Sequence, residues 1–457
     1  MAAFRGYVVG FWVLGVGLTT FGADEAATLR DAARVGDATK LSVSLKAEGL
    51  YRPGPPPGAA KSEPVKSLKL KVETRLEFGE RVLAIESGRG QARRVIRKVS
   101  QAASAINGEI RPTAAVLRPE VALLVAETRE EGVIVFSPGG PLTRSELELV
   151  QGAADPLTLG ALLSDEPVKV GSTWTVRDEA ARSLSAYDTL IQNALTAKVE
   201  SLDARTAKIH LEGNVRGMVL GAEGKMLFDG TLTVDRAAGR IERLDLQRSE
   251  ARKPGAVEAG LEVKSTLTVT RKEADAAARI PDEVVSSVAT EPDPQREELL
   301  LVAPDGRYSL RHDRDWHTYW EDPRLTVLKR LERGIVVAQC NLMKGPNAGK
   351  GRHQDLKQFR DDLRSALGPR FASFLGEGEV DGDPAGGFRY KVGVQGREGE
   401  VGVVWYYYLV ASPEGEQLLA TFTQAEGRVK SFGDQDLRLI GSLRWRDAPA
   451  ETPSSKP

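Results

Sequence analysis

The stretch SLKLKVETRLEF, residues 67–78, has the clearest pattern in the chain and predicts its fold class. Apolar and charged side chains alternate along it. The apolar positions are Leu68, Leu70, Val72, Leu76 and Phe78, and the charged ones are Lys69, Lys71, Glu73, Arg75 and Glu77. Successive side chains of a strand point to opposite faces of a sheet, so this alternation predicts a strand with one face on a core and the other in water.

Similar segments surround this strand and predict a β-rich domain over residues 24–273. Residues 79–80 are expected to turn the chain, and 81–87 to return as the hairpin partner. Further strand-like runs lie at 41–51, 121–127, 132–138, 168–176, 196–201, 206–218, 225–250 and 256–273. Many antiparallel strands with a few short helices predict an α+β domain built on a large, twisted antiparallel sheet.

Three places in this region carry helix signals. Thr143 and Glu146 have the spacing of a capping box. Asp155 before Pro156 fits a helix N-terminus with proline at its first position. Residues 179–194 are compatible with a longer helix. We therefore expect short helices inserted between the strands.

A proline-rich stretch, 274–297, is predicted to be a linker to a second domain at 298–446. There, Leu356, Phe359, Leu363 and Leu367 share one helical face, and Gly368 follows. The run VVWYYYLV, 403–410, is apolar on both faces, which is typical of a strand covered on both sides. This predicts an α-β-α layered antiparallel-sheet module, followed by a disordered tail at 447–457.

The second domain resembles the PsbP-like family. The resemblance rests on the strand at Tyr308–Leu310, the turn to Trp316, the 356–367 helix, the antiparallel strands and a final helix. It implies a fold and carries no ligand residues with it. The first domain, with VKVGSTW at 168–174 and its hairpins, resembles β-rich domains of uncharacterised exported bacterial proteins. It is more distantly similar to half-barrel carriers of the lipoprotein-carrier type.

Length and composition limit the function classes. A chain of 457 residues suggests about two to three domains. The formal net charge is −1, from 63 basic and 64 acidic residues, which argues against a nucleic-acid binder. The single cysteine, Cys340, excludes an intrachain disulfide and a cysteine zinc cluster.

The N-terminus has the layout of a secretory signal peptide over residues 1–23. Arg5 precedes an apolar run from Tyr7 to Phe21, and charged sequence begins at Asp24. Cleavage is expected after Ala23 or Gly22, and an uncleaved anchor is the alternative. The expected mature protein is soluble, lacks a membrane span, and is periplasmic or at the cell surface.

Two candidate chemical sites have simpler structural explanations. Asp313, Asp315 and His317 share one strand face and form a weak metal-site candidate, but they lack HxH or HExxH spacing. Turn-forming carboxylates explain the two aspartates more simply, so no metal or other cofactor is predicted. Cys340 lies on an apolar strand face and is expected to fill the core.

Two further groups are candidates for ligand or partner binding. The basic run RGQARRVIRKV, 89–99, includes Arg93, Arg94 and Arg97, which suit an anionic partner or a solvated face. Trp405, Tyr406 and Tyr408 suit either core packing or a tyrosine-lined cleft. The chain has no GxxxxGK[ST] phosphate loop, and GSTW at 171–174 lacks the GxSxG pattern.

The sequence therefore predicts an exported, non-catalytic binding or assembly protein of the cell envelope. Its working surface is expected to be an inter-domain groove or the open face of the first sheet. One alternative is a carrier that holds an apolar ligand in a curved-sheet cavity. Another is a hydrolase whose catalytic groups come from distant parts of the sequence.

Overall fold

Two large antiparallel sheets organise the protein. The computed structural model describes residues 26–54, 66–86, 88, 90–109, 113–381 and 387–446. The predicted signal peptide and C-terminal tail lie outside the described residues. The fold is thus β-rich, with several sheets and short helices, as the alternating sequence pattern predicts.

The first thirteen strands are β1 (Ala38–Arg52), β2 (Leu68–Ile85), β3 (Ala92–Gly108), β4 (Thr113–Val116), β5 (Leu123–Arg129), β6 (Gly132–Phe136), β7 (Leu142–Thr143), β8 (Thr173–Thr175), β9 (Thr189–Leu202), β10 (Thr206–Val219), β11 (Ala222–Asp235), β12 (Arg240–Arg252) and β13 (Gly260–Glu273). All except β7 form the large sheet, in the order β6-β5-β3-β2-β1-β13-β12-β11-β10-β9-β8, with β4 also paired to β3.

The remaining strands are β14 (Leu299–Val302), β15 (Tyr308–His312), β16 (Trp316–Glu321), β17 (Leu325–Glu332), β18 (Ile335–Lys344), β19 (Phe371–Glu379), β20 (Phe388–Glu398), β21 (Val401–Ala411), β22 (Gln417–Ala425) and β23 (Arg444–Trp445). The second sheet has the order β16-β17-β18-β22-β21-β20-β19, and a small sheet has the order β23-β15-β14-β7.

The α-helices are short. They are α1 (Arg144–Val150), α2 (Asp178–Ser185), α3 (Asp282–Ser286), α4 (Pro294–Glu297), α5 (Leu356–Leu367), α6 (Val429–Phe432) and α7 (Gln435–Ser442). Turns of 3-10 helix lie at Pro119–Val121, Pro156–Leu162, Gly368–Arg370 and Glu426–Arg428. The predicted capping box at Thr143 and Glu146 is confirmed, and so are the bounds of α5.

Two local predictions were wrong. Gly79 and Glu80 do not turn the chain, because β2 runs through them to Ile85. A Cβ at position 79 would lie 1.9 Å from the Ala278 carbonyl oxygen, so close backbone contact explains the glycine. The helix predicted over 179–194 ends at Ser185, because Ala186 is left-handed (φ 55°) and β9 begins at Thr189.

The two faces of the large sheet differ in burial. The inner face carries Leu41 and Val43 of β1, and the outer face carries Lys46 and Glu48. At one end, the inner face is covered by α1, α2 and Pro156–Leu162. Fully buried residues there include Leu41, Phe78, Leu195, Ile209, Leu232, Leu244 and Val269. At the other end, inner-face residues are only partly buried.

The second sheet is covered on both faces. Helix α5 packs on the side of Trp405 and Leu409. Helices α6 and α7, together with β14, β15 and β23, pack on the side of Tyr408 and Phe422. The prediction of a strand with apolar cover on both faces is therefore confirmed for β21.

The two halves of the chain are joined by more than the predicted linker. Strand β14 pairs in parallel with β7, and the fully buried Leu299 belongs to the first half's core. The predicted linker itself packs on the large sheet, where Arg81 donates to the carbonyl of Ile280 at 2.9 Å. Across the junction, Arg144 donates to the carbonyls of Arg314 and Trp316, each at 2.8 Å.

Candidate ligand-binding site on the inner face of the large sheet

Strand β12 changes character along its inner face. Leu244 and Leu246 are buried in the core, but the next inner-face positions are Arg248, Glu250 and Arg252. We call these three residues, together with Glu148, Tyr187 and Glu258, the inner polar cluster. It gathers side chains from α1, from the loop before β9, from β12 and from the loop before β13.

The arginines of the inner polar cluster have different partners. Arg252 lies 3.2 Å from the Glu258 carboxylate and 3.5 Å from that of Glu250. Arg248 donates instead to the Leu184 carbonyl at 3.0 Å and to the Ser265 hydroxyl at 3.2 Å. The charge of Arg248 therefore lacks a carboxylate partner in hydrogen-bond contact within the described chain.

Tyr187 forms the floor of the inner polar cluster. It is 3% exposed, and its ring lies against Gly217 and Gly224, which have no side chain to exclude it. A Cβ on Gly224 would come within 2.5 Å of the tyrosine oxygen. The buried hydroxyl has no hydrogen-bond partner of ordinary geometry among the described residues, although Glu250 is close enough to affect its pKa.

Loss of hydration dominates the electrostatics of this region. It raises the pKa values of Glu148, Glu250 and Glu258, and nearby carboxylates contribute to the shifts of Glu148 and Glu258. It also lowers the pKa of Arg248. Glu148 itself stays exposed to solvent, while Arg248, Glu250, Arg252 and Glu258 are partly buried on the inner face. Clusters of perturbed groups in a recess are candidates for functional sites.

An apolar strip continues the inner face beside the inner polar cluster. It consists of Leu45 of β1, Val72 of β2, Ile106 of β3 and Val263 of β13, all partly buried. Their counterparts at the covered end of the same strands are fully buried. The sheltered inner face is therefore apolar on one side and charged on the other.

The second sheet borders the inner polar cluster. Lys329 of β17 donates to the Ala256 carbonyl at 2.8 Å, two residues before Glu258. The turn at Gly334 contacts the turn at Gly221. Burial, with the nearby Arg144 charge, lowers the pKa of His317 to about 3, so this imidazole is neutral at physiological pH.

The outer face of the same strands has an open depression of about 580 Å³. Its lining crosses β2, β1, β13, β12 and β11. Besides the partly buried Arg248, its charged lining residues are all exposed: three are basic (Lys46, Lys71 and Lys264) and three are acidic (Glu48, Glu73 and Asp229). Three positive and three negative exposed side chains are typical of a solvated sheet surface.

The basic residues predicted to meet an anionic partner separate in the structure. Arg97 is 2% exposed and donates to Glu80 at 2.9 Å and to both Asp155 oxygens at 2.7 and 2.8 Å. Its prediction as a surface contact is therefore wrong, and we call these three residues the buried ion cluster. Arg94 bonds Glu127 and Glu291, and only Arg93 has a mostly exposed side chain.

The aromatic residues predicted to form one surface lie on two faces of the second sheet. Trp405 is buried against α5, whereas Tyr408 is buried on the opposite face and donates to Asp436 at 2.5 Å. Tyr406 is partly buried, and the Lys391 ammonium lies 4.0 Å from its ring centre. The three side chains do not line one cleft, because neighbouring positions on β21 point to opposite faces.

The candidate metal-binding aspartates face an arginine, and the cysteine lies in a hydrophobic core. Asp315 and Asp313 lie 3.0 and 3.9 Å from Arg330. Within the described ranges, no group of three or more His, Cys, Asp or Glu side chains could hold a metal ion. Cys340 is buried in the second sheet's core, and this burial raises its pKa.

Sequence reasoning missed the inner polar cluster. Its members come from positions 148, 187, 248–252 and 258, which no local motif connects. One signal was present on β12, where apolar residues alternate with polar ones up to Leu246 and charged residues then take the inner positions. Such a change along a single strand marks the place where a core ends and a polar recess begins.

Comparison with known proteins gives weak likenesses. No protein-family model matches the chain, and no curated protein matches it in sequence. Similar solved structures include a protein of Bacteroides thetaiotaomicron (11% identity, 32% of this chain, 48% of that chain, TM-score 0.24). Lipovitellin gives 11% identity over 54% of this chain and 26% of that chain, with a TM-score of 0.32. Cyanobacterial PsbP from Synechocystis gives 16% identity over 33% of this chain and 93% of that chain, with a TM-score of 0.26.

The chain thus spans about half or less of the first two of these structures. TM-scores this low carry no argument about function. Among the described residues, no helix combines the length and apolar character that a membrane crossing requires.

Proposed function

We propose that this is an exported, non-catalytic binding protein that holds a small amphiphilic molecule on the inner face of its large sheet. The proposal rests on one observation: the apolar strip and the inner polar cluster lie side by side on a sheltered, incompletely covered face. A ligand with an apolar chain and a polar head would match both parts.

The energetics favour an amphiphile over a purely apolar ligand. Removing apolar surface from water contributes about 25 cal/mol per Å², so the strip around Val72 and Ile106 favours an alkyl chain. Poorly hydrated charges such as Arg248 and Glu258 oppose a wholly apolar occupant, because burying them without new partners is costly. A polar head would supply those partners.

A binding role also fits the positions of the reactive groups. Cys340 is buried in a core, which removes it as a nucleophile. His312 and His317 are both held neutral by burial, which lowers their pKa values to about 4 and about 3. A general base that works near neutral pH needs a higher pKa.

The location and finer fold remain part of this proposal. The N-terminal pattern supports export to the periplasm or cell surface, and the layers around the second sheet support a PsbP-like form for residues 298–446. Assembly with an envelope protein is the second candidate function, since the outer-face depression offers an accessible polar surface for it.

Neighbouring residues on β2 provide a matched test. Val72 points to the inner face and Lys71 to the outer face. The wild type, Val72→Asp and Lys71→Asp proteins should be produced with the native signal and titrated with an uncharged fluorescent naphthylamine. Organic extracts of each should be analysed by mass spectrometry.

We expect Val72→Asp to weaken probe binding by at least about tenfold, equivalent to about 1.4 kcal/mol, and Lys71→Asp to leave it unchanged. Co-purified amphiphile should be lost with the first substitution only. Circular dichroism would verify that both variants are folded. Failure of the wild type to bind the probe or retain any amphiphile would overturn the proposal, as would equal effects of the two substitutions.

A further inference from the structure

We propose that the loop between β12 and β13, residues 253–259, is a lid over one end of the inner face, and that Lys329 of the second sheet holds it closed. We call these residues the lid loop. The inference rests on the proposed function above and specifies how a ligand is exchanged. Entry and release require the lid loop to move off the sheet, which breaks its contact with Lys329.

The lid loop folds onto the inner face of the large sheet. Glu258 of the loop lies 3.2 Å from Arg252, which points inward from β12. A Cβ on Gly255 would lie 2.8 Å from the Cβ of Ala222, the first inner-face residue of β11. Ala222 is only 1% exposed, so the sheet is covered where the loop meets it.

Polar contacts, and not buried apolar side chains, hold the lid loop in place. None of residues 253–259 is fully buried. The Gly255 amide donates to the Glu258 carbonyl at 2.8 Å, and the Lys253 ammonium lies 2.8 Å from the Glu223 carboxylate. Segments with few buried apolar contacts open at a lower free-energy cost than a core does. The loop can therefore open while both sheets stay folded.

Lys329 connects the lid loop to the second sheet. Its ammonium donates to the Ala256 carbonyl at 2.8 Å and lies 3.2 Å from the centre of the Tyr319 ring on the neighbouring strand β16. An aromatic ring attracts a cation placed over its face, so Tyr319 helps to keep the ammonium beside the carbonyl. Opening the loop breaks the hydrogen bond to Ala256, so Lys329 opposes opening.

Other contacts keep the second sheet beside the lid loop when Lys329 is changed. The turns at Gly221 and Gly334 touch through their backbones, since a Cβ on Gly221 would lie 2.2 Å from the Gly334 carbonyl oxygen. The parallel pairing of β14 with β7 joins the two halves of the chain elsewhere. Removing the Lys329 ammonium should therefore release the loop without moving the elements around it.

A matched pair of lysine variants tests this role. Lys329→Met keeps most of the side-chain length and removes the ammonium. Lys225→Met is the control, because Lys225 is exposed on the outer face of β11, close to the same end of the sheet. Release of the uncharged naphthylamine probe from each full-length protein should be followed by stopped-flow fluorescence, and circular dichroism should verify folding. We expect the release rate constant to rise at least about tenfold in Lys329→Met, through loss of a hydrogen bond to a charged group, and to stay unchanged in Lys225→Met.

A disulfide lock provides the complementary test. Gly255→Cys combined with Ala222→Cys would join the lid loop to β11. The Cβ atoms of a disulfide lie about 3.8 Å apart, so the loop has to shift outward by about 1 Å. Cys340 is buried and does not compete for the new thiols. We expect the oxidised protein to bind and release the probe at least about tenfold more slowly than the same protein after reduction.

The outcomes separate the lid from the proposed function. Equal release rates for the wild type and Lys329→Met, or equal rates for the oxidised and reduced cysteine pair, would overturn the lid and leave the proposed function standing. Equal acceleration in Lys225→Met would overturn it as well. Failure of the cysteine pair to form a disulfide, checked by mass spectrometry, would contradict the contact between the loop and Ala222. A wild type that does not bind the probe would overturn both.

Discussion

The inner face of the large sheet carries two groups of charges that behave oppositely. In the buried ion cluster, all three nitrogens of the Arg97 guanidinium donate to Glu80 or Asp155. Burial opposes the charge of Arg97, but the two carboxylates outweigh it and raise the arginine's pKa. The inner polar cluster has raised carboxyl pKa values, and the buried Tyr187 hydroxyl lies near Glu250 without a hydrogen bond of ordinary geometry to any described residue.

The difference separates structural from ligand-binding charges. Both groups lie on the same sheet and come from distant parts of the sequence, so neither burial nor composition distinguishes them. What distinguishes them is whether the protein itself completes the hydrogen bonds. The buried ion cluster is complete without a ligand, and we infer that the inner polar cluster is not.

The largest expected effect comes from breaking the buried ion cluster. Arg97→Met would leave Glu80 and Asp155 buried without their cation, and removing one partner of a buried pair costs about 3–5 kcal/mol. Urea unfolding followed by circular dichroism measures this loss. Arg93→Met is the matched control, because its mostly exposed side chain predicts a change within about 0.5 kcal/mol. Similar losses for the two variants would contradict the distinction.

A smaller loss is expected for Glu146→Gln in α1. The buried carboxylate of Glu146 accepts bonds from the Arg118 side chain at 2.7 and 2.8 Å and from the Thr143 amide at 2.8 Å. Hydrogen bonds to a charged group contribute about 1.5–3 kcal/mol, so we expect a loss of about 2 kcal/mol at pH 7.

The pH dependence of that loss has a defined sign. Burial alone would raise the pKa of Glu146, but the Arg118 and Thr143 bonds lower it overall. A depressed folded-state pKa contributes stability above the unfolded pKa, and this contribution disappears as the pH falls through the folded one. The difference in free energy of unfolding between the wild type and Glu146→Gln should therefore become smaller as the pH falls. If this difference stayed constant from pH 7 to pH 3, the predicted link between the pKa of Glu146 and stability would be wrong.

Glu148→Gln lies two residues further along the same helix. The difference in stability between this variant and the wild type should depend on pH more weakly and with the opposite sign. Loss of hydration raises the pKa of Glu148, so its contribution is present below the unfolded pKa and is lost as the pH rises through the folded one. Relative to wild type, the variant should gain stability between pH 4 and pH 8. Urea titrations at both pH values test this, and a relative loss at pH 8 would contradict it.

The smallest expected effect is an absence of titration at His317. Burial lowers its pKa to about 3, so its ring should stay neutral from pH 7 to pH 5. Proton NMR of the imidazole should show unchanged shifts over that range, assigned with a His317→Gln spectrum. A titration midpoint near 6.5, the ordinary value for histidine, would place the ring in solvent and contradict the sheltered junction.

Local pattern was sufficient wherever neighbouring residues decide the structure. The alternation at 67–78, the capping box at Thr143 and the 356–367 helix each depend on spacing within about one strand or helix, and each was found. Interactions between distant residues were not found. Strand β3 was interpreted as a basic surface run, because the carboxylates that neutralise Arg97 lie 17 residues before it and 58 after it.

The candidate site could not be predicted for the same reason. Arg252 and Glu258 are close in sequence, but Glu148 and Tyr187 reach them only after a dozen strands have formed one sheet. Whether a charged residue is sheltered depends on sheet curvature and on the neighbouring second sheet. Neither property is encoded in the spacing of the residues concerned.

The parallel pairing of β14 with β7 limits where this protein can be divided. A fragment starting at residue 298 would carry Leu299 away from the core that buries it, and would expose an unpaired β14 edge. The complementary fragment ending at 297 would retain a hole where Leu299 packs, and β7 would lose its strand partner. Expression of either half alone should therefore favour aggregation, and limited proteolysis within 274–297 should yield nicked halves that stay associated.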